Sequence, residues 1–409
     1  MKKILFVAPS SYPVNGPESM VNAKHIYVLC KMGYIVDVIT RGVNKRHVFY
    51  PSDECNVFFS KVNSINEVPV DTKMNLATLV RHLMTFLKTG HVYKGADWTF
   101  AALRKAEQLC KVNKYDFVFT KDYPSEIVGL YLSKKYGIKW ISTWNDPYMI
   151  EKYPSPYGLG YNFKESFMRH RLIKQISTRP FVHLFPSSRL RDYMLKYMVG
   201  MDVQKCYVMP HILLDSDVKK TSKSFNEELN IIHTGSVGRE RNPQNFLKAL
   251  SIVLNEHPEW KIRTTFLGIV DRTKGTLLYD LIERYHLQEY IEILKPIPYE
   301  ECMDFVKKYD LCLIVEANCE EGIFLPSKVI DYLQNEKPIL TVSPSSGVLY
   351  DLYSNGVVDY FGDVNDVMSI KRAIESAYLD EVRGLNIKNK DLTHFSEQTI
   401  IKLHEKILR

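Results

Sequence analysis

Two short segments in the second half of the chain combine glycine and cationic side chains in a pattern typical of phosphate-binding sites. The first runs from Gly235 to Pro243 (GSVGRERNP) and joins a predicted strand to a predicted helix. Glycine lets the backbone approach a ligand closely, and the planar fork of Arg239 or Arg241 matches phosphate oxygens. An ordinary polar turn has a similar composition, so this segment indicates a phosphate site without requiring one.

The second segment is Leu325-Pro326-Ser327-Lys328, which is followed by an amphipathic run. We predict that Ser327 caps a helix and that Lys328 lies in its first turn. A lysine is unfavourable at the positive end of a helix dipole, which suggests a compensating anion, although a solvated lysine is the simpler alternative. Two cationic segments in one domain can together neutralise a diphosphate without a metal.

Strands and helices that would position these segments alternate in both halves of the chain. The first half is predicted to contain strands at 4–8, 34–40, 117–120 and 139–143, with helices over 19–32 and near 124–135. The second half repeats the pattern, with strands at 229–233, 263–267, 290–294, 311–315 and 338–342 and helices at 243–255, 276–285, 299–308 and 328–335. Strands joined through helices pair in parallel. The predicted fold class is therefore α/β, with two Rossmann-like domains facing a cleft.

A length of 409 residues suits two domains. We predict a first domain over 1–212 and a second over 213–394, with a polar linker near 211–226 and a C-terminal helix, about 395–409, packing back on the first domain. Seven scattered cysteines predict reduced thiols. Because no run approaches ~18 apolar residues, we expect no membrane span and a cytoplasmic protein.

The two halves differ in charge. Residues 1–212 hold 30 Lys and Arg against 16 Asp and Glu, a net charge of +14, whereas the remainder carries −7. A basic half suggests an anionic partner such as lipid head groups, a lipid-linked phosphate or nucleic acid, or simply a solvated surface.

One segment of the basic half, Leu76 to Lys88, is predicted to form an amphipathic helix that lies on a membrane surface or packs on the core. The basic stretch Lys164, Arg169, Arg171 and Lys174 favours peripheral contact with the inner face of a membrane.

Taken together, the motifs resemble one enzyme family. Residues 233–236 (HTGS) run into 241–243 (RNP) and 246–250, and residues 325–328 (LPSK) run into 331–333 and 337–340. This half resembles the nucleotide-binding domain of GT-B group 1 glycosyltransferases, the retaining family four. The first half is similar more loosely, through the Gly16 loop, residues 140–147 and residues 208–211.

The resemblance implies a role for each matching residue. Its donor-binding residues would be Gly16, Gly235, Ser236, Arg239, Arg241, Ser327, Lys328 and Asp331, with Asp331 on the ribose. Its catalytic residues would be Asp146, Glu321, Arg241 and Lys328. Two departures from the family stand out: Ser236 takes the place of its first arginine, so Arg239 would substitute, and Glu321 is an uncertain counterpart of its first glutamate. For Asp146, capping the turn before a proline is the alternative role, and for Gly16 the alternative is an ordinary turn glycine.

The expected function is transfer of a sugar from a nucleotide diphosphate donor, with a UDP-sugar as the expected donor, to a saccharide or lipid-linked acceptor in surface polysaccharide biosynthesis. We expect retention of configuration, no metal, no cofactor and no nucleic-acid partner. A nucleotide-sugar epimerase of similar fold and a noncatalytic nucleotide-sugar or nucleic-acid binding protein are the alternatives.

Overall fold

The computed structural model describes residues 1–11, 16–42, 58, 60–69, 76–91, 96–121, 123–215, 228–271, 276–382 and 390–409. The chain divides into two compact units. Unit 1 comprises Met1–Tyr153, Leu159–Ile212 and Glu397–Arg409, and unit 2 comprises Pro154–Gly158 and Leu213–Ser396. Most of the linker predicted near 211–226 lies outside the described residues.

Unit 1 is built on one parallel sheet. Its strands are β1 (Lys3–Val7), β2 (Ile35–Arg41), β3 (Ser64–Val68), β4 (Phe117–Lys121), β5 (Lys139–Thr143), β6 (Val182–Phe185) and β7 (Cys206–Val208). The helices that accompany them are α1 (Pro17–Lys31), α2 (Leu76–Thr89), α3 (Ala96–Val112), α4 (Ser125–Tyr136), α5 (Phe167–Thr178) and α6 (Ser188–Leu195). The strand order is β3-β2-β1-β4-β5-β6-β7, and neighbouring strands pair in parallel.

In the part of the chain that the structure describes, unit 2 repeats this design with six strands and six helices. Its strands are β8 (Glu228–Thr234), β9 (Lys261–Leu267), β10 (Ile291–Leu294), β11 (Leu311–Val315), β12 (Ile339–Ser343) and β13 (Tyr360–Asp363), in the order β10-β9-β8-β11-β12-β13. Its helices are α7 (Gln244–Glu256), α8 (Leu278–Arg284), α9 (Tyr299–Val306), α10 (Ser327–Gln334), α11 (Val348–Ser354) and α12 (Val367–Val382). The prediction of two Rossmann-like domains is confirmed.

The last helix, α13 (Glu397–Ile407), belongs to unit 1. Its His404 Nε2 lies 2.8 Å from His25 Nε2 on α1, and both rings are fully buried. Glu397 forms an ion pair with Lys31 at 2.5 Å. The C-terminal residues are therefore part of the first unit's core and not an appendage of the second.

The strands are buried, which explains why runs of apolar residues in the sequence predicted their positions. Strands β1, β4 and β11 are buried along nearly their whole length because helices cover both faces of a parallel sheet. Gly33 (φ +86°) follows α1 and Gly137 (φ +66°) caps α4, and both adopt the left-handed conformation that ends a helix.

Helix α2 covers the predicted segment, yet its apolar face does not pack on the core. Leu76, Leu79, Leu83 and Leu87 are exposed, whereas Thr78 and Thr85 are buried. The alternative of core packing is therefore wrong for this helix. Its inward face is the polar one.

Among the described residues, no helix is both long and apolar enough to cross a bilayer. The six described cysteines are free.

A close contact between α4 and β5 generates a test of the unit 1 core. A Cβ on Gly129 would lie 2.4 Å from Trp140 Nε1 and 2.7 Å from Thr120 Cγ2, and Trp140 is almost completely buried. We expect Gly129→Ala to destabilise the chain by about 1–3 kcal/mol, although alanine normally favours a helix. Denaturant unfolding measures this change.

Trp140→Phe supplies the control, because phenylalanine lacks the indole nitrogen that the new methyl group would meet. The double variant should be more stable than the sum of the two single effects predicts, by about 1 kcal/mol. Additive effects would show that Gly129 is not required by this contact.

Candidate functional site

The topology of unit 2 places its candidate site between β8 and β11. The chain runs outward from β8 to β9 and β10 on one side and from β11 to β12 and β13 on the other. Ligands of open parallel sheets bind at such a reversal, beyond the carboxyl ends of the strands. Gly235 follows β8 directly, and Glu316 follows β11 directly.

The turn after β8 is built by close backbone approaches. Gly235 has φ +91°, and a Cβ on Gly268 would lie 2.2 Å from the Gly235 carbonyl oxygen. Gly238 and Arg241 exchange two backbone hydrogen bonds of 3.0 Å, and a Cβ on Gly238 would lie 2.2 Å from the Asp271 carbonyl oxygen. Glycine is therefore needed here for space as well as for conformation.

The Lys328 side chain lies against Gly235. A Cβ at position 235 would come within 3.0 Å of Lys328 Cε and 3.3 Å of its Nζ. The structure begins α10 at Ser327 and places Pro326 at the cap, with no side-chain capping bond. The prediction that Ser327 caps this helix is wrong by one residue, because proline's restricted backbone already provides the extended geometry before the first turn. Lys328 does lie in that turn, as expected.

A buried histidine positions the Lys328 amine. His233 Nδ1 is 3.0 Å from the Leu313 carbonyl oxygen, which can only accept, so this nitrogen donates a hydrogen. His233 Nε2 lies 3.3 Å from Lys328 Nζ. Burial and then the Lys328 charge hold the pKa of His233 well below its usual value. A neutral ring can accept a hydrogen bond from the amine through Nε2.

Lys328 is itself electrostatically unusual. Burial, followed by the charge of Arg241, lowers the pKa of Lys328 to about 7, although Glu316 and Asp331 oppose this change. The nearby carboxylates therefore do not offset the effects of burial and of Arg241 on the charged amine. An anion bound beside it would supply what the protein does not.

Arg241 is held by a carboxylate and a tyrosine. Its Nε is 3.3 Å from Glu316 Oε1, and its guanidinium lies 5.9 Å from the centre of the Tyr157 ring. The Tyr157 hydroxyl donates to the same Glu316 oxygen at 2.5 Å. Burial opposes the effect, but Glu316 and Tyr157 raise the pKa of Arg241 above its usual value. Arg241 is thus a fixed cation near Lys328.

Other predicted residues of the loop after β8 lie at the edge of the group formed by Lys328 and Arg241. Ser236 is exposed, and Arg239 is 74% exposed and pairs with Asp271 at 2.5 Å. Arg239 also lines a cleft of about 740 Å³ in unit 2, most of whose other lining residues are amides: Asn242, Gln244, Asn245, Asn318 and Asn365. Amide side chains donate and accept hydrogen bonds, which suits a ligand rich in hydroxyl groups.

Asp331 lies on α10, one turn beyond Lys328, and is nearly buried. Its Oδ1 accepts a hydrogen bond of 2.6 Å from the Tyr299 hydroxyl. Burial and Asp331 raise the pKa of Tyr299 well above its usual value, so this phenol remains a donor.

Glu321 is partly exposed in the loop between β11 and α10. The next residue, Gly322, donates its N–H to the Ser346 carbonyl oxygen at 3.0 Å and packs backbone to backbone against Gly347. This close contact fixes the loop that carries Glu321.

Unit 1 carries the remaining predicted residues at the carboxyl edge of its own sheet. Asp146 follows β5 and takes part in a side-chain hydrogen bond with Tyr153. Burial, Asp146 and then Glu18 raise the pKa of Tyr153. Gly16 is the residue before α1, with an extended backbone (φ −76°), so no left-handed conformation requires glycine there.

Several residues of these groups were missed by the sequence reasoning. The motif in the sequence includes His233 without indicating a role for it. The motifs do not include Glu316, Tyr157 or Tyr299. A signal existed for Glu316, because an acidic residue directly after a buried strand stands at the binding edge of a parallel sheet. Nothing in the sequence places Tyr157 in unit 2.

Glu126 of unit 1 was missed as well. It lies in the first turn of α4, where burial raises its pKa to about 8 against the effect of backbone and Tyr148 hydrogen bonds. Its Oε1 has no hydrogen-bond partner.

One group in the described part of the chain has metal-ligand spacing. Ligand atoms of Glu256, His257 and Glu375 lie within 4.8 Å of one another. The Lys371 ammonium lies 2.8 Å from Glu256 Oε2 and 2.6 Å from Glu375 Oε1, so it already neutralises these carboxylates. The group belongs to α7 and α12 and their ends, not to the loops after the strands.

Comparison with known proteins identifies the family of the domain in the second half of the chain. Residues 215–399 match the family described as glycosyl transferases group 1. The chain is a glycosyltransferase with a group 1 domain. The match covers nearly all of the Leu213–Ser396 part of unit 2, including Arg239, Arg241 and Lys328. No curated protein matches the sequence closely enough to identify the enzyme further.

Solved structures place the glycosyltransferase in the GT-B fold. It is similar to a sucrose-phosphate synthase from Thermosynechococcus elongatus (12% identity, TM-score 0.66, covering 100% of this chain and 98% of that one). It is similar to Anabaena HepE in complex with UDP and glucose (11% identity, TM-score 0.61, covering 100% of this chain and 99% of that one). It is also similar to a putative UDP-N-acetylglucosamine 2-epimerase from Listeria monocytogenes (12% identity, TM-score 0.58, covering 98% of this chain and 94% of that one). At these identities the likeness shows the fold alone.

The contact between Gly235 and Lys328 predicts a binding defect. In Gly235→Ala the new methyl group would displace the amine and strain a left-handed residue, a cost of roughly 1–2 kcal/mol for the backbone alone. We expect affinity for nucleoside diphosphates to fall by about tenfold or more. Calorimetric titration with UDP, GDP and ADP measures the change.

Gly356→Ala is the matched control, because Gly356 has φ +71° and its Cβ would meet nothing within 4 Å. Both variants should lose similar stability, and only the first should lose affinity. Equal binding by both would remove Gly235 from the anion site.

Proposed function

We propose that this glycosyltransferase moves a sugar from a nucleotide diphosphate donor, most simply a UDP-sugar, to a saccharide or lipid-linked acceptor. The observation that carries the proposal is the placement of Lys328 against Gly235, with Arg241 close enough to lower the pKa of Lys328. Two fixed cations beside a glycine turn suit a diphosphate. The fold's likeness to a protein solved with UDP and glucose supports uridine as the base.

In the proposed reaction the cations act on the leaving group. Negative charge grows on the diphosphate as the bond from its oxygen to the sugar breaks, and Lys328 and Arg241 would stabilise that charge. Arg241 would keep its orientation through Glu316 and Tyr157 while its remaining N–H groups face the ligand. Lys328 and Arg241 would do the work for which other transferases use a divalent metal, so we propose that neither metal nor cofactor is needed.

The remaining residues would bind the rest of the donor and the acceptor. We assign Asp331 to the ribose, because its position on α10 follows Lys328 by one turn. Gly235, Ser236 and Ser327 would offer backbone or hydroxyl hydrogen bonds, Arg239 would approach the diphosphate from the cleft, and Glu321 would face the sugar.

On unit 1, Asp146 would orient the acceptor hydroxyl, with Gly16 beside the acceptor or diphosphate. We propose retention of configuration, with a leaving phosphate oxygen taking the acceptor proton on the same face. In that route no enzymic nucleophile is needed.

A place at the inner face of a membrane completes the proposal. The +14 charge of residues 1–212 suits an anionic surface, and a lipid-linked acceptor would be presented there. Surface polysaccharide assembly is the corresponding process. We assign no nucleic-acid partner.

The donor assignment predicts metal-independent binding. Thermal unfolding of the wild type with UDP-, GDP- and ADP-sugars in EDTA should show a raised midpoint for one donor class, since ligand that binds only the folded chain stabilises it. Arg241→Ala and Lys328→Ala should each lose that shift, whereas Lys248→Ala, on the exposed surface of α7, should keep it. A shift that requires a divalent metal would refute the metal-free site.

Product analysis separates this function from its rivals. Incubation of the donor without acceptor should release no isomerised nucleotide sugar, and added acceptor should give a product of retained anomeric configuration. Isomerisation without acceptor would favour the epimerase, as would an acid–base requirement at the sugar. Nucleotide-sugar binding without turnover, or salt-sensitive nucleic-acid binding, would favour a noncatalytic role.

The pKa of Lys328 predicts how donor affinity depends on pH. Because the amine has a pKa of about 7 and only its protonated form attracts the diphosphate, affinity should be highest below about pH 7 and fall as pH rises. Binding above that pH should take up a proton. Calorimetry of UDP-glucose binding in buffers of different ionisation enthalpy measures both effects, since its phosphodiester groups do not titrate near neutrality.

Lys328→Arg and Lys328→Met provide the comparison. The arginine variant should bind with no slope across this range because its charge is permanent. The methionine variant should bind weakly at every pH. An unchanged slope in either variant would assign the titration to another group.

A further inference from the structure

Helix α2 presents its apolar face outward. Leu76, Leu79, Val80, Leu83, Met84 and Leu87 are exposed by between 40% (Met84) and 78% (Leu76). They recur at intervals of three and four residues, so they form one stripe about 17 Å long on one side of the helix. A stripe of this size in water is unfavourable unless something covers it.

Ion pairs on the opposite face fix this orientation. Arg81 Nε lies 2.8 Å from Asp97 Oδ1 on α3, and His82 Nε2 lies 3.1 Å from the other oxygen of Asp97. Lys88 Nζ lies 2.6 Å from Glu107 Oε2, also on α3. Turning the leucines inward would break these contacts and deprive the partly buried Asp97 of Arg81 and His82, which is costly.

A basic cluster adjoins the C-terminal end of α2. Burial, then Arg179 and Arg171, lower the pKa of Lys134, which places these three cations close together. His91, two residues beyond α2, hydrogen-bonds to Gln175 of α5 and is influenced by Lys134 and Arg171. Lys134 also donates a hydrogen bond to Gln175 Oε1, so the C-terminal end of α2 lies beside these cations.

The charge pattern decides between possible occupants. A second copy of the chain meeting this surface face to face would bring the basic clusters towards one another. A lipid bilayer with anionic head groups offers both parts of the complement: an apolar layer for the leucines and phosphate groups for the cations. Interfacial helices bind in this manner, with the apolar face at the acyl boundary and the basic residues among the head groups.

We propose that the α2 surface, defined as Leu76, Leu79, Val80, Leu83, Met84 and Leu87 with Lys134, Arg171 and Arg179, binds an anionic lipid bilayer. This inference deepens the membrane location put forward above and rests on it. Its geometry is independent of the donor site, because every residue of the surface lies in unit 1.

Vesicle flotation of the full chain tests the proposal. The wild type should bind phosphatidylcholine vesicles containing about 30% phosphatidylglycerol and bind pure phosphatidylcholine weakly, with binding that falls as salt rises. Leu79→Ser/Leu83→Ser/Leu87→Ser and Arg171→Gln/Arg179→Gln should each reduce binding by about tenfold or more. All five side chains replaced are exposed, so the thermal midpoint should stay close to that of the wild type.

Val112→Ser/Val199→Ser/Val203→Ser is the matched control, since these three valines of unit 1 are also exposed. It should bind like the wild type. Equal vesicle binding by the leucine variant, or none by the wild type, would overturn the proposal. So would a concentration-dependent dimer in sedimentation that the leucine variant abolishes, because a second copy would then be the occupant.

Donor binding separates this proposal from the proposed function. The leucine variant should retain the thermal shift given by the nucleotide sugar. Vesicle binding by a wild type that shows no such shift would preserve the α2 surface and refute the donor site. A normal thermal shift without vesicle binding would preserve the donor site and refute the α2 surface.

Discussion

The close approach of Lys328 to Gly235 is the contact on which the candidate site depends. The Lys328 amine lies this close to the turn after β8 because residue 235 has no Cβ, and a neutral, buried histidine adjoins the amine. The neighbouring glycines at 238 and 268 serve the same end, since side chains there would collide with backbone atoms. Steric exclusion at three positions thus creates room for one cation at the switch point of the sheet.

The surrounding charges then stabilise the protonated form of Lys328 only in part. Glu316 is shared between Arg241 and Tyr157, and Asp331 is engaged by Tyr299, so neither carboxylate pairs directly with Lys328 in a contact seen here. The lowered pKa of Lys328 follows from burial and the adjacent guanidinium. A site prepared in this way gains most from a ligand that brings negative charge, as a diphosphate does. The same arrangement links ligand binding to proton uptake.

Helix α2 shows a different use of charge. Amphipathicity alone favours burying the leucines, yet the ion pairs with Asp97 and Glu107 turn the polar side towards α3. Polar contacts inside unit 1 therefore set which face meets the surroundings. The proposed donor site and the proposed α2 surface are thus both places where a bound ligand or bilayer would complete a favourable interaction.

The sequence by itself determined the α/β class and most strand and helix positions, because burial periodicity and glycine-rich turns are local properties of the chain. The glycosyltransferase family was indicated by the resemblance of its motifs and not by periodicity. The sequence also pointed to Gly235, Arg241 and Lys328, whose residue types already carry the chemistry. Only the tertiary structure decided that His233, Glu316 and Tyr157 join them, since those contacts span from 75 to 159 positions in the chain. It decided the outward face of α2 for the same reason: Asp97 and Glu107 lie on another helix, and periodicity cannot tell which side of an amphipathic helix will find a partner.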